Sequence, residues 1–483
     1  MRAVKWIGWT LLVFIGVVLF ATFIFALTFN ANAYKSEIVE NVRKQFGREL
    51  EISGDLRLSF FPPFTLESGH AVLYERDLHE RFASMENLRL RVALMPLFSK
   101  KLQIDSVSMV GISVEIIRDA QGRFNIDDLI VILTPRGPSN LPVFFVDSVS
   151  VKGAQVRFRD LATASEFTFA DLNGSLAPVA PAIPGRLDLN GQLKLSASTM
   201  AIPFDLQTQF TFKAPDAAVL FETVRGKSSV ETKAGTLKSE LKVQSVALRE
   251  SVHVGAAEIG LDFHGTHAVN AKGTIKFSGL ELQDGNAVDT QITLSWTSHT
   301  GTWQGEGRAE GTLKTGVKQP LQLSALQGAA KLSSDKLSAK LTFAGFGSYE
   351  TESRSAMLTL SGMNLGITEG GRSLADIRGA LHSKLDIAHD QAETRIDGTL
   401  NGGAYSALLL SPLTAPEKTR FKVSLATLDL DRMRPRAASS AKPDKQVDLD
   451  LAPLRNIGMT GELFIGQLTY GGVTSKKVRA LVD

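Results

Sequence analysis

His264 and His267 are the residues whose types most invite metal chemistry, because imidazole nitrogen is a common ligand for zinc and copper. Their separation puts them on opposite faces of a regular strand, and with Gly265 and Thr266 between them they read as a solvated turn. Paired carboxylates are the other chemistry on offer. Asp127 and Asp128 fall where a short helix would begin, and negative charge there suits the positive end of the helix dipole. Asp429 and Asp431 share a strand face and Asp448 and Asp450 repeat the spacing, yet neither pair has the base or nucleophile that acid–base catalysis needs beside it. Gly305, Gly307 and Gly311 miss the dinucleotide fingerprint, and G-x-S-x-G, P-loop and H-E-x-x-H motifs do not occur. No cysteine is present in 483 residues, which removes disulfides, thiolate nucleophiles and Cys-ligated metals. The expectation is a protein without a catalytic residue, a metal site or a cofactor.

The elements around these residues explain more than the residues do. Trp6 to Phe29 reads WIGWTLLVFIGVVLFATFIFALTF, without a charge. As a helix it reaches about 36 Å at about 1.5 Å per residue, enough to span a hydrocarbon core of about 30 Å, and Trp6, Leu12, Phe14, Val18, Phe23 and Phe29 form its apolar surface. Arg2 and Lys5 precede it, so the positive-inside rule puts the N-terminus in the cytoplasm and the bulk of the chain across the membrane, although Lys35, Arg43, Lys44 and Arg48 follow closely. Ala31-Asn32-Ala33 offers a signal-peptidase-like site, but the apolar run is far longer than a signal peptide's core of about 7 to 15 residues. Both readings export the chain. The net charge of +3 and the scattered Lys and Arg give no nucleic-acid footprint. With 43% hydrophobic residues, 41 glycines and four tryptophans, the exported part reads as strands and turns.

After the anchor, Ile38, Val39, Val42 and Phe46 line one face of a short helix that Gly47 ends as a C-cap. Leu50, Ile52, Leu56, Leu58 and Phe60 then alternate as one half-buried strand, stopped by Pro62 and Pro63. Leu88, Leu90, Val92 and Leu94 alternate too, as do Ile112, Val114 and Ile116. Asp119 to Arg123 forms a tight turn, and Asn125 is placed to cap a short helix through Asp127, Asp128 and Leu129.

The ordered blocks NAYKSEIVENVRKQFGRELEISGDLRLSFFPPF and LRLRVALMPLFSKKLQIDSVSMVGISVEIIRDAQGRFNIDDL closely resemble the N-terminal region of AsmA-family proteins of Gram-negative bacteria. FKVSLATLDLDRMRP resembles that family's strand ending in Leu-Asp-Leu-Asp-Arg before a low-complexity linker. The resemblance implies a protein anchored in the inner membrane with its bulk in the periplasm and linked to outer-membrane assembly. Through the wider β-groove group that includes TamB, it also implies bulk phospholipid movement. On this reading the fold is mainly β with one N-terminal transmembrane helix, short helices near the N-terminus and a long curved antiparallel sheet forming a β-groove. The expected segments are 1–33 (cytoplasmic start and anchor), 34–135 (α+β region), 136–433 (β-groove), 434–447 (disordered linker) and 448–483 (C-terminal strands, expected to be truncated as in a fragment or shortened member, with an open edge at Val478 to Asp483).

Beyond Leu141 the alternation is pervasive. Val156 with Phe158 and Phe167 with Phe169 sit two apart, and so do Leu187 with Leu189, Leu193 with Leu195, and Phe210 with Phe212. Ile275 with Phe277, Ile292 with Leu294, Leu341 with Phe343 and Leu358 with Leu360 continue the pattern, with polar partners between them. Asn173-Gly174, Asn190-Gly191, Asp284-Gly285 and Asp397-Gly398 read as turns or as bulges in longer strands, and the Pro-rich Ala177 to Gly185 reads as a rigid connector at a boundary.

Two readings fit the apolar face. Period alone favours the ordinary core of a sandwich or barrel. The family resemblance favours an open lining for phospholipid acyl chains, built from Leu189, Leu193, Leu195, Phe210, Phe212, Ile275, Phe277, Ile292, Leu294, Leu341, Phe343, Leu358 and Leu360. About 20 strands at about 4.8 Å would extend about 95 Å, too short for a periplasm, so outer-membrane or other periplasmic proteins are expected as partners besides the inner membrane. The alternative function is an assembly factor that acts by contact on the targeting or insertion of outer-membrane proteins.

Overall fold

Helix α1 (Lys35–Phe46) buries, to about half, the residues its spacing puts on one face: Ile38, Val39, Val42 and Phe46. Gly47 ends it at φ 65°, its N–H returning to the Arg43 carbonyl at 2.9 Å. The computed structural model describes residues 30–433 and 459–482, without 60–63, 77–79, 94–102, 122, 130–144, 162–164, 197–199, 215–216, 233, 249–251, 266–268, 284–285, 288, 317–318, 351–352 and 416–417. The expected anchor, the linker 434–447, Leu94, His267, Asp284-Gly285, Asp448 and Asp450 lie outside those residues. Among the described residues no helix is long and apolar enough to cross a membrane.

Nearly everything after α1 is strand, in two compact units of residues 1–228 with 245–250 and 229–244 with 251–483. The first unit begins with β1 (Leu50–Ile52), β2 (Leu56–Ser59), β3 (Phe64–Ser68), β4 (Ala71–Tyr74), β5 (Arg81–Met85), β6 (Asn87–Val92), β7 (Gln103–Val110) and β8 (Ser113–Arg118). These are halves of bent strands. Leu50 pairs with Leu73 across β1 and β4, and Leu58 with Leu66 across β2 and β3, so one ladder continues through the bend. The single strand expected over Leu50 to Phe60 is therefore bent at Ser53-Gly54-Asp55. A Cβ on Gly54 would lie 2.4 Å from the Cα of Gly69, so the two chains approach there more closely than any side chain allows.

β9 (Phe145–Asp160) receives both halves of the last bent strand in parallel, Val107 beside Val149 and Ile116 beside Phe158. A parallel step requires a long connection, and in sequence β8 ends at Arg118 while β9 begins only at Phe145. The sheet then runs antiparallel through β10 (Ser165–Ala177), β11 (Pro184–Leu195), β12 (Ala201–Ala214) and β13 (Ala217–Thr232). Within the Pro-rich stretch, Pro178 to Ile183 connect β10 to β11, with Val179 bridged to Val146, and both strands lie in the first unit, so no boundary falls there.

The second unit holds most of β14 (Gly235–Leu248), then β15 (Val252–Val254), β16 (Ala257–Gly265), β17 (Val269–Phe277), β18 (Leu280–Gln283), β19 (Asn286–Ala287), β20 (Thr290–Thr300) and β21 (Trp303–Gly316). β22 (Gln319–Ser333), β23 (Leu337–Glu350), β24 (Ser355–Glu369), β25 (Arg372–Asp386), β26 (Gln391–Leu400), β27 (Gly403–Ser411) and β28 (Arg420–Asp429) follow. A helical turn, α2 (Leu430–Met433), precedes β29 (Thr460–Tyr470) and β30 (Val473–Val482). From β20 to β28 each strand pairs antiparallel with the next. β28 and β29 are parallel, joined by the long segment that contains the polar linker. The expectation of a mainly β chain holds, whereas a purely antiparallel sheet gives way at these two crossovers.

Asn173-Gly174, Asn190-Gly191 and Asp397-Gly398 lie within strands. Turns fall instead at pairs such as Gly370-Gly371 and Asn401-Gly402, where both residues have positive φ, as tight hairpins require. The strands bend at bulges beside Asp171 (φ 53°), Thr223 (φ 53°) and Ala325 (φ 50°), where the register slips. Thr223 is exposed and β-branched, a costly residue for the left-handed region. Thr223→Gly is expected to raise stability by about 1 kcal/mol, read as a higher urea midpoint at unchanged slope.

Candidate functional site

Register sorts the side chains by face. In the first unit, Val156, Phe169, Leu193 and Ile202 stand in one row across β9 to β12, and Leu189 pairs with Leu206 two rows on. Leu195 faces Phe167, Phe210 pairs with Phe221, and Phe212 with Val219. Aromatic rings connect the strands on this face: Phe158 to Phe167 at 4.7 Å, Phe167 to Phe169 at 5.6 Å and Phe169 to Phe204 at 5.8 Å between centroids. Phe204 pairs with Gly191 of the intervening strand, and the side chain of Leu172 takes up the space over that glycine, where a Cβ would lie 2.7 Å from Leu172 Cδ2.

In the second unit Ile275 pairs with Leu294 and Phe277 with Ile292, while Leu341 stands between Ala330 and Leu365. Phe343 faces Gly328, and Leu358 and Leu360 face Gly347 and Gly345. All thirteen positions expected to line the face thus fall on the apolar side of their own unit. The large side chains lie flat over glycines of the next strand. A Cβ on Gly307 would sit 2.4 Å from Trp296 Nε1, and one on Gly328 would sit 2.4 Å from Phe343 Cζ. This is why Gly305 and Gly307 are glycine, in a strand that sequence patterning read only as polar. Gly307→Val is expected to cost about 1–3 kcal/mol by lifting Trp296 off the sheet, seen as a lower urea midpoint with a changed tryptophan emission maximum.

What covers this face decides its meaning. Among the described residues, Phe210 at 4% relative exposure is the one expected lining residue that is buried. Leu195 (40%), Leu294 (38%) and Leu358 (36%) are exposed, and the rest are half-buried by their sheet neighbours. An inward face in a sandwich would be dry. Here a single layer presents contiguous apolar surface to its surroundings, far beyond the scattered apolar residues of ordinary surfaces. The opposite face is wet, with exposed ion pairs such as Arg157–Glu166 at 2.7 Å and Lys276–Glu258 at 3.2 Å. His264 belongs to that face, its Nδ1 3.3 Å from Asp262.

One buried polar cluster escaped the sequence. Arg48, 1% exposed, donates to Asp128 through Nε (3.0 Å) and Nη2 (2.9 Å) and to Glu75 through Nη1 (2.9 Å), and its guanidinium lies 4.2 Å from the Phe82 ring centroid. Asn125 donates to Glu75 at 2.6 Å and accepts from the Ile117 N–H at 3.0 Å, so it clamps β8 and does not cap a helix. Burial would push the Asp128 carboxyl up, but the hydrogen bonds and charge of Arg48, with Arg76 behind it, hold it below the ordinary range. Asp128 is an ion-pair partner first; Asp127 accepts from the Phe124 N–H at 2.9 Å. Asp429 and Asp431 do not share a strand face, because Asp431 lies in α2, where its carboxylate accepts the N–H groups of Gly471 and Gly472 at 2.7 Å each.

The fold and its surface define a class: a single-layered β protein whose apolar side is not packed away within either unit. The chain belongs to the AsmA family, whose model matches residues 1–448. It is also similar to Protein AsmA of Escherichia coli (strain K12), 27% identical over 107 residues that cover 22% of this chain and 17% of that protein. No solved structure matches.

Proposed function

We propose that the protein contributes to outer-membrane biogenesis by carrying phospholipid acyl chains on the apolar side of its sheet, as a carrier and not a catalyst. Residues 6–29 would hold it in the bacterial inner membrane, with the bulk of the chain in the periplasm. The observation that supports this reading is the uncovered apolar face, backed by the family-level link to the envelope. An acyl chain in water is penalised by about 0.8 kcal/mol per exposed CH₂, so an apolar surface lowers a barrier of order 10 kcal/mol per chain without any directed chemistry. A lining of aliphatic and aromatic side chains, some of them lying flat over glycines, has low relief and tolerates different chain types.

Site-specific photocrosslinking in growing cells tests it. A benzophenone amino acid in place of Phe277 or Leu294 is expected to capture phospholipid, and one in place of Lys276, on the wet face of the same strand, is not. Adducts to protein alone from the apolar positions would favour the contact-acting assembly factor instead.

A further inference from the structure

At one end of the second unit the apolar side of the sheet turns polar. The row that begins with Ile377 and Leu400 continues over Gly403 to Thr427 and Gln467, and the next row holds Asp429 beside Thr469. Gly403 has no side chain to fill this place, and a Cβ there would lie 2.1 Å from Thr427 Oγ1. The result is a cavity of about 250 Å³ lined by Asn401, Thr427, Asp429, Arg432, Gln467 and Thr469, with Leu400 and Leu428 as its apolar lining. It holds a group of several heavy atoms and is smaller than a site for a whole drug-sized ligand, about 300–1,000 Å³.

Its charges are unspent. Asp429 uses one carboxylate oxygen, Oδ1, to accept the N–H groups of Asp431 (3.0 Å) and Arg432 (3.1 Å), and among the described residues it forms no ion pair. Arg432 accepts a hydrogen bond from Arg372 at its carbonyl, 2.9 Å, while its guanidinium makes no hydrogen bond or ion pair among the described residues. Elsewhere on this unit neighbouring opposite charges pair directly, as in Arg378–Asp376 at 2.9 Å and Arg479–Glu462 at 2.7 Å. Here an Arg and an Asp line one cavity without joining, which leaves a cation and an anion free to meet a ligand that carries both charges.

We propose that this cavity holds the zwitterionic phosphodiester headgroup of a phospholipid, with the phosphate on Arg432 and the ammonium on Asp429, while its acyl chains lie over Leu400, Tyr405 and Leu425. The inference rests on the acyl-carrier reading and adds to it a site for the headgroup. Arginine suits the phosphate because it presents several N–H donors in a fixed plane. Thr427 and Gln467 supply neutral hydrogen bonds at the same rim.

The test uses the full chain in mild detergent and compares phosphatidylethanolamine, diacylglycerol of the same chains and glycerophosphoethanolamine. Arg432→Gln and Asp429→Asn keep the local hydrogen-bonded turn possible, and an unchanged urea midpoint verifies the fold. Phosphatidylethanolamine is expected to bind about tenfold more weakly to either variant, with diacylglycerol unaffected. Equal binding of phosphatidylethanolamine to wild type and both variants overturns the headgroup site and leaves the acyl reading standing. Failure of wild type to bind any of the lipids removes the acyl reading and this inference with it. Glycerophosphoethanolamine binding that needs Arg432, without lipid binding, identifies a site for a soluble phosphodiester and overturns the lipid assignment.

Discussion

Arg48→Met is expected to lower the stability of the first unit by about 3–5 kcal/mol, because it leaves the carboxylates of Glu75 and Asp128 in a buried place without their cation. The loss should be local before it is global. Amide exchange of Tyr74, bonded to the Glu49 carbonyl at 2.9 Å, and of Ile117, bonded to Asn125, should quicken first. The sign of the pH dependence follows from Asp128. Its pKa is depressed in the folded chain, so its contribution is full above the unfolded value near ~3.9 and is lost as pH falls through the lower folded value. The gap between wild type and variant should therefore be widest near neutrality and narrow in acid. A gap that widens as pH falls would mean that another pair governs the cluster.

Leu341→Asp is expected to reduce bound phospholipid by at least about tenfold, since a carboxylate in an acyl-chain path must either stay hydrated, displacing the chain, or be buried at a cost well above ~1.4 kcal/mol. The fold should survive it. Leu341 is half-buried in a single layer, so water can reach the new charge, which would be ruinous in a closed core. Lys340→Asp, on the wet face one residue away, serves as the control and should leave lipid binding unchanged. Equal loss from both would point to a disturbed strand and not to a blocked surface.

Much of this fold can be read from a period of two. Pairs such as Ile275 with Phe277 and Leu341 with Phe343 occupy one side of their strands, and Gly47 ends α1 as its position announces. What period cannot carry is anything set by a distant partner. Arg48 and Asp128 are 80 residues apart, and nothing local distinguishes Arg48 from the exposed Arg43 and Lys44 before it. The glycines of β21 looked polar-strand-like because their reason, the Trp296 ring, sits on the neighbouring strand. Bulges hid for a similar cause: Thr223 and Ala325 are poor residues for positive φ, so the sheet's bend and not local preference puts them there. Whether an apolar face is covered is likewise a property of the assembled layers, and alternation is the same in both cases.

The central claim is that the apolar face carries lipid, and native mass spectrometry of the full chain purified from membranes in mild detergent tests it most directly. The expected result is several phospholipids bound per chain, lost in Leu341→Asp and retained in Lys340→Asp. A folded chain that carries no lipid would contradict the account and leave a contact-acting assembly factor as the better description.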